Sequence, residues 1–468
     1  MKLYDKLFYD GQWQTTDSKD FLEVVDSATE EAFAKVVQAT HADVDKAVAS
    51  AKQAFTSWNV TPPEKRAAYV EKILAGIEKR QTEIADTIVN ELGTSSTYAK
   101  ESQLPLSIGE IKSTLAEFKK FKFEEEIDDA LLIKEGFGVV ACVTPWNYPL
   151  NQIQRKITPA LLAGNTVVVN PASNTPLTAI IYAEIIEEAG LPNGVFNLVT
   201  GSGSDTGDYL TKHPDVAVIS FTGSTDVGKS LYQNASTNIK KLVLELGGKS
   251  AMVYLKGGDL EYAVKASADT VLNNQGQTCS ALTRLLVPED KLAETKAILA
   301  DYYQTIKVGD PKDSDTMVGP MVSSDQMKRV LNYIEKGKAE GAEVFIGGHR
   351  IDRPGYFIEP TVFINVSNDM TIAQEEIFGP VLSVITYKTQ EEALEIANDS
   401  VYGLSGAVVG PSEAAFEVAR QLRTGNITVN GGKRSAKAPF GGYKESGIGR
   451  ENGLYGLEDY LELKVLFR

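Results

Sequence analysis

One of the two cysteines in the chain lies in an unusually polar run. Cys279 belongs to "NNQGQTCSALTR", residues 273–284. A cysteine that serves packing usually has apolar neighbours, whereas a thiol nucleophile needs a polar, partly exposed site. A flexible turn built on Gly276, Gln277 and Thr278 could present the sulfur and the backbone N–H of Cys279 to a cleft. Judged from these residues alone, a nucleophile and a structural cysteine remain equally open interpretations.

Two further residues have side chains that could act with a thiol. Glu245 ends the apolar run of "LVLELGGKS", where an ionised carboxylate is costly unless it is paired or used. Burial would raise its pKa and make it a better general base near neutral pH. Asn147 lies between the prolines of "TPWNYP", and a fixed amide in a cleft can hold an oxyanion. A hydrogen-bonded structural glutamate and a turn asparagine are the alternatives.

Two glycine-rich loops each follow an apolar run. "VTGSGSDTGDYL" places Gly203 and Gly207 in a GxGxxxG pattern, which differs from the dinucleotide fingerprint GxGxxG. "SFTGSTDVGKSLY" places Gly223 and Ser224 before a helical pattern, where N–H groups and a hydroxyl can bind an anion. The two loops together favour a nucleotide site, and ordinary turn glycines are the alternative for each.

The elements that must position these residues alternate between strand and helix. Apolar runs predict strands at 138–145, 165–171, 194–201, 216–223, 284–288, 342–348, 380–387 and 426–430. Helical spacing predicts helices at 40–55, 61–80 and 175–190, from about 290, and near 391–397. We expect Thr40 to cap the first of them in a capping box with Asp43, and Thr61 to cap the second. The alternation is typical of βαβ units and predicts two α/β domains with parallel sheets, divided near 245–249.

The composition excludes several classes of function. The chain has 468 residues and a net charge of −16, which argues against nucleic acid or an anionic membrane as the main partner. No run has the length of a membrane span or the pattern of a signal peptide. Two cysteines and three dispersed histidines argue against a disulfide framework and against a zinc site. We therefore expect a cytoplasmic protein without a metal.

Six motifs together resemble the aldehyde dehydrogenase superfamily. They are "TPWNYP", "FTGSTDVG", "LELGGKS", "GQTC", "EEIFGPV" and "APFGGYKESGIGRE", in the order of the family and within residues from about 10 to 465. The interval from Glu245 to Cys279, 279 − 245 = 34 residues, also fits the family pattern. The likeness is greatest to non-phosphorylating, broad-range bacterial enzymes and to semialdehyde dehydrogenases.

The resemblance implies a role for each catalytic candidate. Cys279 would attack the aldehyde, and its own N–H and the amide of Asn147 would hold the oxyanion of the thiohemiacetal. Transfer of hydride to a nicotinamide would leave a thioester, and Glu245 would activate the water that hydrolyses it. Lys156 would tether the active-site loop. Tyr148, Thr278 and Ser280 would contact the substrate.

The cofactor implied is NAD or NADP. The matching positions are Thr144, Pro145, Trp146, Asn170, Ser173, Gly203, Gly207, Phe221, Gly223, Ser224, Leu246, Glu376 and Phe378. The chain departs from the family at "NPAS", where relatives usually have Lys-Pro-Ser/Ala-Glu. Ser173 lacks the carboxylate that would repel a 2′-phosphate, and Asn170 lacks the cation that would attract one. We therefore expect weak discrimination, with NAD slightly preferred.

The identity of the aldehyde stays open at this stage. Arg155 takes a position that carries a carboxylate-binding arginine in semialdehyde dehydrogenases, and Lys433, Arg434 and Lys437 could add to a cationic mouth. Asn273 stands where those enzymes have a second arginine, and a solvated Arg155 is the alternative. Two rival functions are an acylating dehydrogenase that uses coenzyme A, against which Glu245 argues, and a catalytically silent binding or structural relative.

The resemblance also implies a domain organisation and an assembly. A Rossmann-like cofactor domain would comprise residues 1–120 and 139–245, and a catalytic α/β domain residues 246–430. Residues 121–138 and 431–468 would form a small β oligomerisation element and a C-terminal tail. Exposed strands in these segments would pair across subunits, which implies a homodimer or a homotetramer. Ordinary edge strands are the alternative.

Overall fold

A computed structural model describes residues 1–468 and contains two large, mainly parallel sheets. The first sheet has eight strands, in spatial order Gly447–Ile448, Lys241–Glu245, Val216–Thr222, Val139–Val143, Thr166–Asn170, Phe196–Leu198, Lys6–Tyr9 and Gln12–Thr15. The second has seven, in order Glu343–Ile346, Thr361–Ile364, Val381–Tyr387, Arg284–Pro288, Ala251–Tyr254, Ser405–Val409 and Asn426–Val429. The predicted α/β class with parallel sheets is confirmed.

Helices cover both large sheets. Those associated with the first are His41–Trp58, Pro63–Lys79, Gln81–Leu92, Ser96–Tyr98, Leu104–Phe118, Pro149–Ala163, Leu177–Ala189, Asp208–Lys212, Thr225–Ala235 and Gly453–Glu458, with π-helical turns at Ala99–Gln103 and Gly203–Gly207. Those associated with the second are Leu260–Leu272, Leu292–Tyr303, Ser324–Ala339, Thr371–Gln374, Gln390–Asn398 and Ser412–Gln421, with 3-10 turns at Asn273–Gly276 and Glu289–Lys291. No helix combines the length and apolar character needed to cross a membrane.

Three small sheets complete the fold. Lys2–Tyr4, Glu31–Val37 and Phe21–Asp26 form one, and Tyr402–Gly403 pairs with Tyr443–Lys444 in another. In the third, Ala130–Gly136 lies between Leu461–Phe467 and Glu124–Ile127. Residues 431–468 therefore do not form one element, because they contribute strands to three different sheets. Only Leu461–Phe467 joins the predicted β segment at 121–138.

The helix termini confirm one of the two predicted N-terminal caps and contradict the other. Thr40 and Asp43 form the predicted capping box at the helix His41–Trp58, which satisfies two free N–H groups. Thr61 was wrongly predicted as a cap, because Pro62 holds that position and the Thr61 hydroxyl instead donates to the Ser57 carbonyl at 2.9 Å. Gly190 ends the helix Leu177–Ala189 with φ 68°, a conformation that glycine adopts without strain.

The helix Pro149–Ala163 fixes the centre of the fold. All 15 of its residues are buried, including Arg155 and Lys156. It follows the strand Val139–Val143 directly through the loop that contains Asn147. Parallel sheets place such loops together at the carboxyl ends of their strands. The loops after Val143, Thr222 and Glu245 therefore meet at one edge of the first sheet, facing the second.

Candidate active site

The loop before Cys279 has a strained backbone. Asn274 and Gln275 have φ values of 52° and 58°, and Gly276 follows with φ 69°. Left-handed backbone at non-glycine residues costs on the order of 1–3 kcal/mol each and persists only where surrounding contacts impose it. Such strain is common where a reactive group must be held in one position, so the contacts that impose it are informative.

The amide side chains of this loop supply those contacts. Asn274 Nδ2 donates to the Asn147 carbonyl at 2.9 Å, and Gln275 Nε2 donates to the Gly93 carbonyl at 2.6 Å. The Gln277 Oε1 accepts from the Val322 N–H at 3.0 Å. All three side chains are buried. The prediction of a flexible turn was therefore wrong: the polar residues before Cys279 are anchors that fix the loop.

Cys279 lies between two cavities. It is half-buried and lines both a cavity of about 380 Å³ and a second one of about 150 Å³. No other residue lines both. Two groups bound one in each cavity would therefore meet at the sulfur.

The larger cavity contains the predicted substrate residues. Tyr148, Arg155, Thr278 and Ser280 all line it. The hydroxyls of Tyr148 and Thr278 share a hydrogen bond of 3.0 Å. Sequence reasoning missed several other lining residues. No local pattern marks Tyr98, Leu106 and Tyr262, whereas Phe440 belongs to the motif "APFGGYKESGIGRE" but was not singled out.

The smaller cavity contains about half of the predicted cofactor residues. Those that line it are Pro145, Trp146, Gly223, Ser224, Leu246, Glu376 and Phe378. Thr222, Gly247, Gln326 and Arg329 also line it and were not predicted. Asn147, predicted as an oxyanion donor, lies in the same wall.

The chemistry of the smaller cavity fits a dinucleotide. Ser224 caps the 11-residue helix Thr225–Ala235, and a helix N-terminus favours a phosphate group. Glu376 accepts a hydrogen bond from the Gly248 N–H at 3.0 Å, and a carboxylate suits a ribose hydroxyl. A Cβ added at Gly247 would lie 2.6 Å from Glu376 Oε2, so the glycine keeps this side of the cavity open.

The remaining predicted cofactor residues do not line this cavity. Asn170 is buried, and its Nδ2 donates to the carbonyls of Val199 and Gly201 at 3.1 and 3.3 Å. Its amide therefore holds a neighbouring loop. The others that lie outside the cavity are Thr144, Ser173, Gly203, Gly207 and Phe221. A Cβ at Gly207 would lie 2.8 Å from Asn170 Oδ1, so the absence of a side chain at this position is explained by packing against Asn170.

Phe378 and Trp146 form an aromatic pair at the smaller cavity. Their rings are 5.3 Å apart at an interplanar angle of 88°. Phe378 has φ 59°, and Gln326 Nε2 donates to its carbonyl at 2.8 Å. This side-chain contact holds the strained backbone and thereby the position of the ring.

Glu245 is a buried carboxyl without a hydrogen-bond partner for either side-chain oxygen. Burial, reinforced by the charge of Glu451, raises its pKa well above the usual range. Two segments enclose it. Its strand pairs with Gly447–Ile448, and a Cβ at Gly441 would lie 2.6 Å from Glu245 Oε1. A buried carboxyl with a raised pKa suits a general base.

Lys156, predicted to tether the active-site loop, contacts segments other than the loop of Cys279. Its Nζ is fully buried and donates to Thr222 Oγ1 and to Glu451 Oε1, both at 2.8 Å. Glu451 was not singled out from the sequence, although it belongs to the motif "APFGGYKESGIGRE". The lysine therefore joins the end of a central strand to the C-terminal segment, beside Glu245.

Arg155 differs from both of its predicted environments. It is buried rather than solvated, and it pairs with Glu110 through Nε at 2.9 Å and Nη2 at 2.5 Å. Burial opposes ionisation of Glu110, but the charge and hydrogen bonds of Arg155 outweigh it, so the pKa of Glu110 is lowered. The charge that was predicted to bind a substrate carboxylate is offset within the protein.

Burial raises the pKa of the Cys279 thiol to about 12, and the carboxyl groups of Glu376 and Glu245 act in the same direction. Arg155 and Arg434 oppose the shift. These surroundings favour the protonated thiol, which needs a proton acceptor when it attacks. The other cysteine, Cys142, lies fully buried in the strand Val139–Val143, as expected of a packing residue.

Comparison with known proteins identifies the family of this arrangement. The sequence model of the aldehyde dehydrogenase family matches residues 13–466. A putative aldehyde dehydrogenase of Staphylococcus haemolyticus is 43% identical over 472 residues, with 100% of this chain and 99% of that protein covered.

Solved structures agree. The chain superposes with a TM-score of 0.97 on a cysteine-to-alanine variant of Pseudomonas syringae aldehyde dehydrogenase C in complex with NAD+ and octanal, at 42% identity and covering 99% and 96% of the two chains. It superposes equally well, with a TM-score of 0.97, on Mycobacterium tuberculosis aldehyde dehydrogenase complexed with NAD+, at 40% identity and covering 100% and 98%. The chain belongs to the aldehyde dehydrogenase family of oxidoreductases.

Proposed function

We propose that the chain oxidises an aldehyde to its carboxylic acid with NAD or NADP, through a thioester on Cys279. The observation that carries the proposal is the position of Cys279 as the one residue common to both cavities. Aldehyde bound in the larger cavity and a dinucleotide bound in the smaller one would meet at its sulfur. The complexes of relatives with NAD+ and with octanal support this assignment.

The protein groups around Cys279 suit formation of an oxyanion. When the thiol proton passes to water and the sulfur adds to the carbonyl carbon, the carbonyl oxygen gains negative charge. Asn147 Nδ2 already donates to the Gln277 carbonyl at 2.9 Å, which fixes the amide and leaves its second N–H free. Together with the Cys279 N–H, it would donate to the oxyanion of the thiohemiacetal. Collapse of that oxyanion expels hydride, for which the bound nicotinamide supplies the acceptor.

Glu245 would then activate water to hydrolyse the thioester. Its carboxyl oxygens lack hydrogen-bond partners within the protein, so a water molecule is a suitable partner. Its raised pKa makes the ionised form a stronger base than an exposed glutamate. The presence of this base favours water over coenzyme A as the acyl acceptor, and the complete set of Cys279, Asn147 and Glu245 argues against a catalytically silent relative.

The proposal is tested with a panel of aldehydes, each assayed with NAD and with NADP and with or without coenzyme A. We expect formation of NAD(P)H and of the free acid in equal amounts without coenzyme A. Turnover only with coenzyme A would instead indicate an acylating enzyme. No NAD(P)H with any aldehyde would support a binding or structural role.

Weak discrimination between the two cofactors is expected, with NAD preferred by less than about a hundredfold in kcat/KM. Both Ser173 and Asn170 lie outside the smaller cavity, at positions that the family resemblance assigns to the adenosine ribose. Ser173 is uncharged and Asn170 is bonded internally, so neither offers charge to a 2′-phosphate. The variant Ser173→Glu should raise the ratio of NAD to NADP activity by roughly fivefold or more, because the new carboxylate would repel the phosphate.

The neighbouring variant Asn174→Glu is the control for this cofactor test, because Asn174 lines a separate surface depression. Equal changes in the two variants would show that a general increase in negative charge is responsible. Discrimination of several hundredfold by the wild-type enzyme would show that other residues decide the choice.

The semialdehyde alternative finds no support in Arg155, whose charge is offset by Glu110. The hydrocarbon chain of an aldehyde, whatever group ends it, fits the cavity, which Leu106, Met252, Leu282 and Phe440 help to line. Binding of octanal by the Pseudomonas syringae relative agrees with this character.

A homodimer or homotetramer is proposed from the small sheet of residues 124–136 and 461–467. Its outer strand Leu461–Phe467 exposes Leu463, Val465 and Phe467, at 67%, 44% and 86%. An exposed apolar edge strand invites pairing with another chain. Light scattering coupled to size exclusion should give the mass of two or four chains, and Val465→Lys should lower it. A wild-type mass of one chain would contradict the assignment.

A further inference from the structure

The larger cavity contains a cation whose charge nothing in the cavity offsets. Among its lining residues are two arginines and no aspartate or glutamate. Arg155 is paired with Glu110. The second arginine, Arg434, is exposed and forms no ion pair, and its only hydrogen bond is a long one of 3.4 Å from Nη2 to Ser405 Oγ. The cavity therefore carries about one unit of uncompensated positive charge.

The ring of Phe440 orients this guanidinium. Its centroid lies 4.8 Å from Cζ of Arg155 and 5.6 Å from Cζ of Arg434. Cation–π contact of this kind stabilises an arginine without consuming its N–H donors. Arg434 is thus placed at the cavity with its planar donor set available to a ligand.

Arg434 is the one cation near the cavity whose charge is available to a ligand. The chain as a whole has a net charge of −16, so an anion is attracted only where cations are locally exposed. Of the nearby cations, Lys437 Nζ pairs with Glu117 at 2.9 Å, and Lys433 does not line the cavity. Only Arg434 combines position in the cavity with an unpaired charge.

We propose, resting on the aldehyde oxidation proposed above, that Arg434 selects aldehydes that carry a carboxylate at the end remote from the carbonyl. The planar guanidinium matches a carboxylate through two parallel hydrogen bonds. A single uncompensated charge suits a monoanion better than a doubly charged phosphate. The aromatic residues Tyr262 and Phe440, which also line the cavity, would contact the hydrocarbon between the two ends. The substrate class is therefore the ω-oxo acids.

The test compares ω-oxo acids of four to eight carbons with unbranched alkanals of equal carbon number. Wild-type enzyme should show a higher kcat/KM with the acid of the best-fitting length. In Arg434→Gln the ratio of acid to alkanal kcat/KM should fall roughly tenfold, mainly through KM, because one charge-assisted contact made in both ground and transition state is lost. Arg434→Lys keeps the charge without the planar donor set, so its ratio of acid to alkanal kcat/KM should lie between those of the wild type and of Arg434→Gln.

The matched control is Lys433→Gln, which removes the same charge one residue away. Its ratio should stay within about twofold of wild type, as expected for a solvated surface cation. Added salt should reduce the wild-type preference for the acid, because an exposed ion pair is screened. Glyceraldehyde 3-phosphate extends the panel to a doubly charged substrate.

Three results would overturn the proposal: a wild-type preference for alkanals, an equal loss of acid and alkanal activity in Arg434→Gln, or an equal fall of the ratio in Lys433→Gln. A preference for the phosphorylated aldehyde would overturn the assignment to a monoanion. Failure of the underlying oxidation is distinguishable, because neither alkanals nor ω-oxo acids would then produce NAD(P)H.

Discussion

Replacing Cys279 by alanine should reduce aldehyde oxidation on the order of 10⁴-fold or more, the size of effect expected when a covalent nucleophile is removed. Alanine has no group that can add to the carbonyl, so neither thiohemiacetal nor thioester can form. The anchors of the loop, Asn274, Gln275 and Gln277, act through their own amides and would remain in place. Cofactor titration followed by protein fluorescence should therefore still show binding, while NAD(P)H formation is lost.

Cys142→Ala provides the internal comparison for this experiment. Cys142 is packed in a central strand of the first sheet, so its replacement should lower the free energy of unfolding by about 1 kcal/mol and leave catalysis intact. More than a trace of dehydrogenase activity in Cys279→Ala would exclude Cys279 as the nucleophile.

The second large effect is expected from Glu245→Gln, which should slow thioester hydrolysis by about 10²–10⁴-fold. The amide matches the carboxyl in size but cannot take a proton from water. Rapid mixing should therefore reveal a burst of NAD(P)H equal to the enzyme concentration, followed by very slow turnover.

Glu376→Gln is a useful contrast to this variant. Glu376 is also buried, with its pKa raised to about 7 by burial, but it lies in the wall of the smaller cavity and bonds to the Gly248 N–H. Its replacement should weaken cofactor binding and produce no burst. If Glu245→Gln lost burst and steady state equally, Glu245 would instead serve the thiol or the structure.

The pH dependence of hydrolysis follows from the burial of Glu245. Burial disfavours the anion and raises the pKa of Glu245, so at a given pH less of the group is ionised than in an exposed glutamate. Because the ionised form is the base, the hydrolysis rate should rise with pH until Glu245 is fully ionised. The pH at which the hydrolysis rate rises should be higher than the pKa range of ordinary carboxylates. This pH dependence should be absent in Glu245→Gln, and single-turnover measurement of thioester decay would show both results.

How far the sequence predicted the site depended on how local each signal was. The alternation of apolar strands and helices predicted both sheets, and the Thr40 and Asp43 pair predicted a cap, because each signal lies within one short segment. The six motifs singled out Cys279, Asn147 and Glu245 as candidates, and the structure places Cys279 and Asn147 at the same cavity. Only some of the predicted cofactor residues line the smaller cavity, since a position in a motif does not tell whether a side chain faces a cavity or, like that of Asn170, the adjoining backbone.

Local sequence patterns do not predict contacts between distant segments. The partner of Arg155 is Glu110, from the adjacent helix Leu104–Phe118, and the partner of Lys156 is Glu451, 295 residues away. Neither pairing has a spacing that marks it in the sequence. The position of Arg155 at the larger cavity was therefore predicted, but its pairing with Glu110, which leaves Arg434 as the unpaired cation of the cavity, was not.

The strand Gly447–Ile448, which closes the first sheet over Glu245, bears on the order in which the protein matures during synthesis. Ser446 Oγ donates to the Gly247 carbonyl across 199 residues of sequence, so the enclosure of Glu245 depends on contact between distant parts of the chain. A nascent chain extends from its N-terminus, and its domains form as they emerge. The segment that encloses Glu245 is therefore synthesised late, after Cys279, Asn147 and the central strands of both large sheets. A ribosome-bound chain stalled before residue 440 would thus contain Cys279 but lack the segment that encloses Glu245, and the burial that raises the pKa of Glu245 would be completed only when that late segment docks.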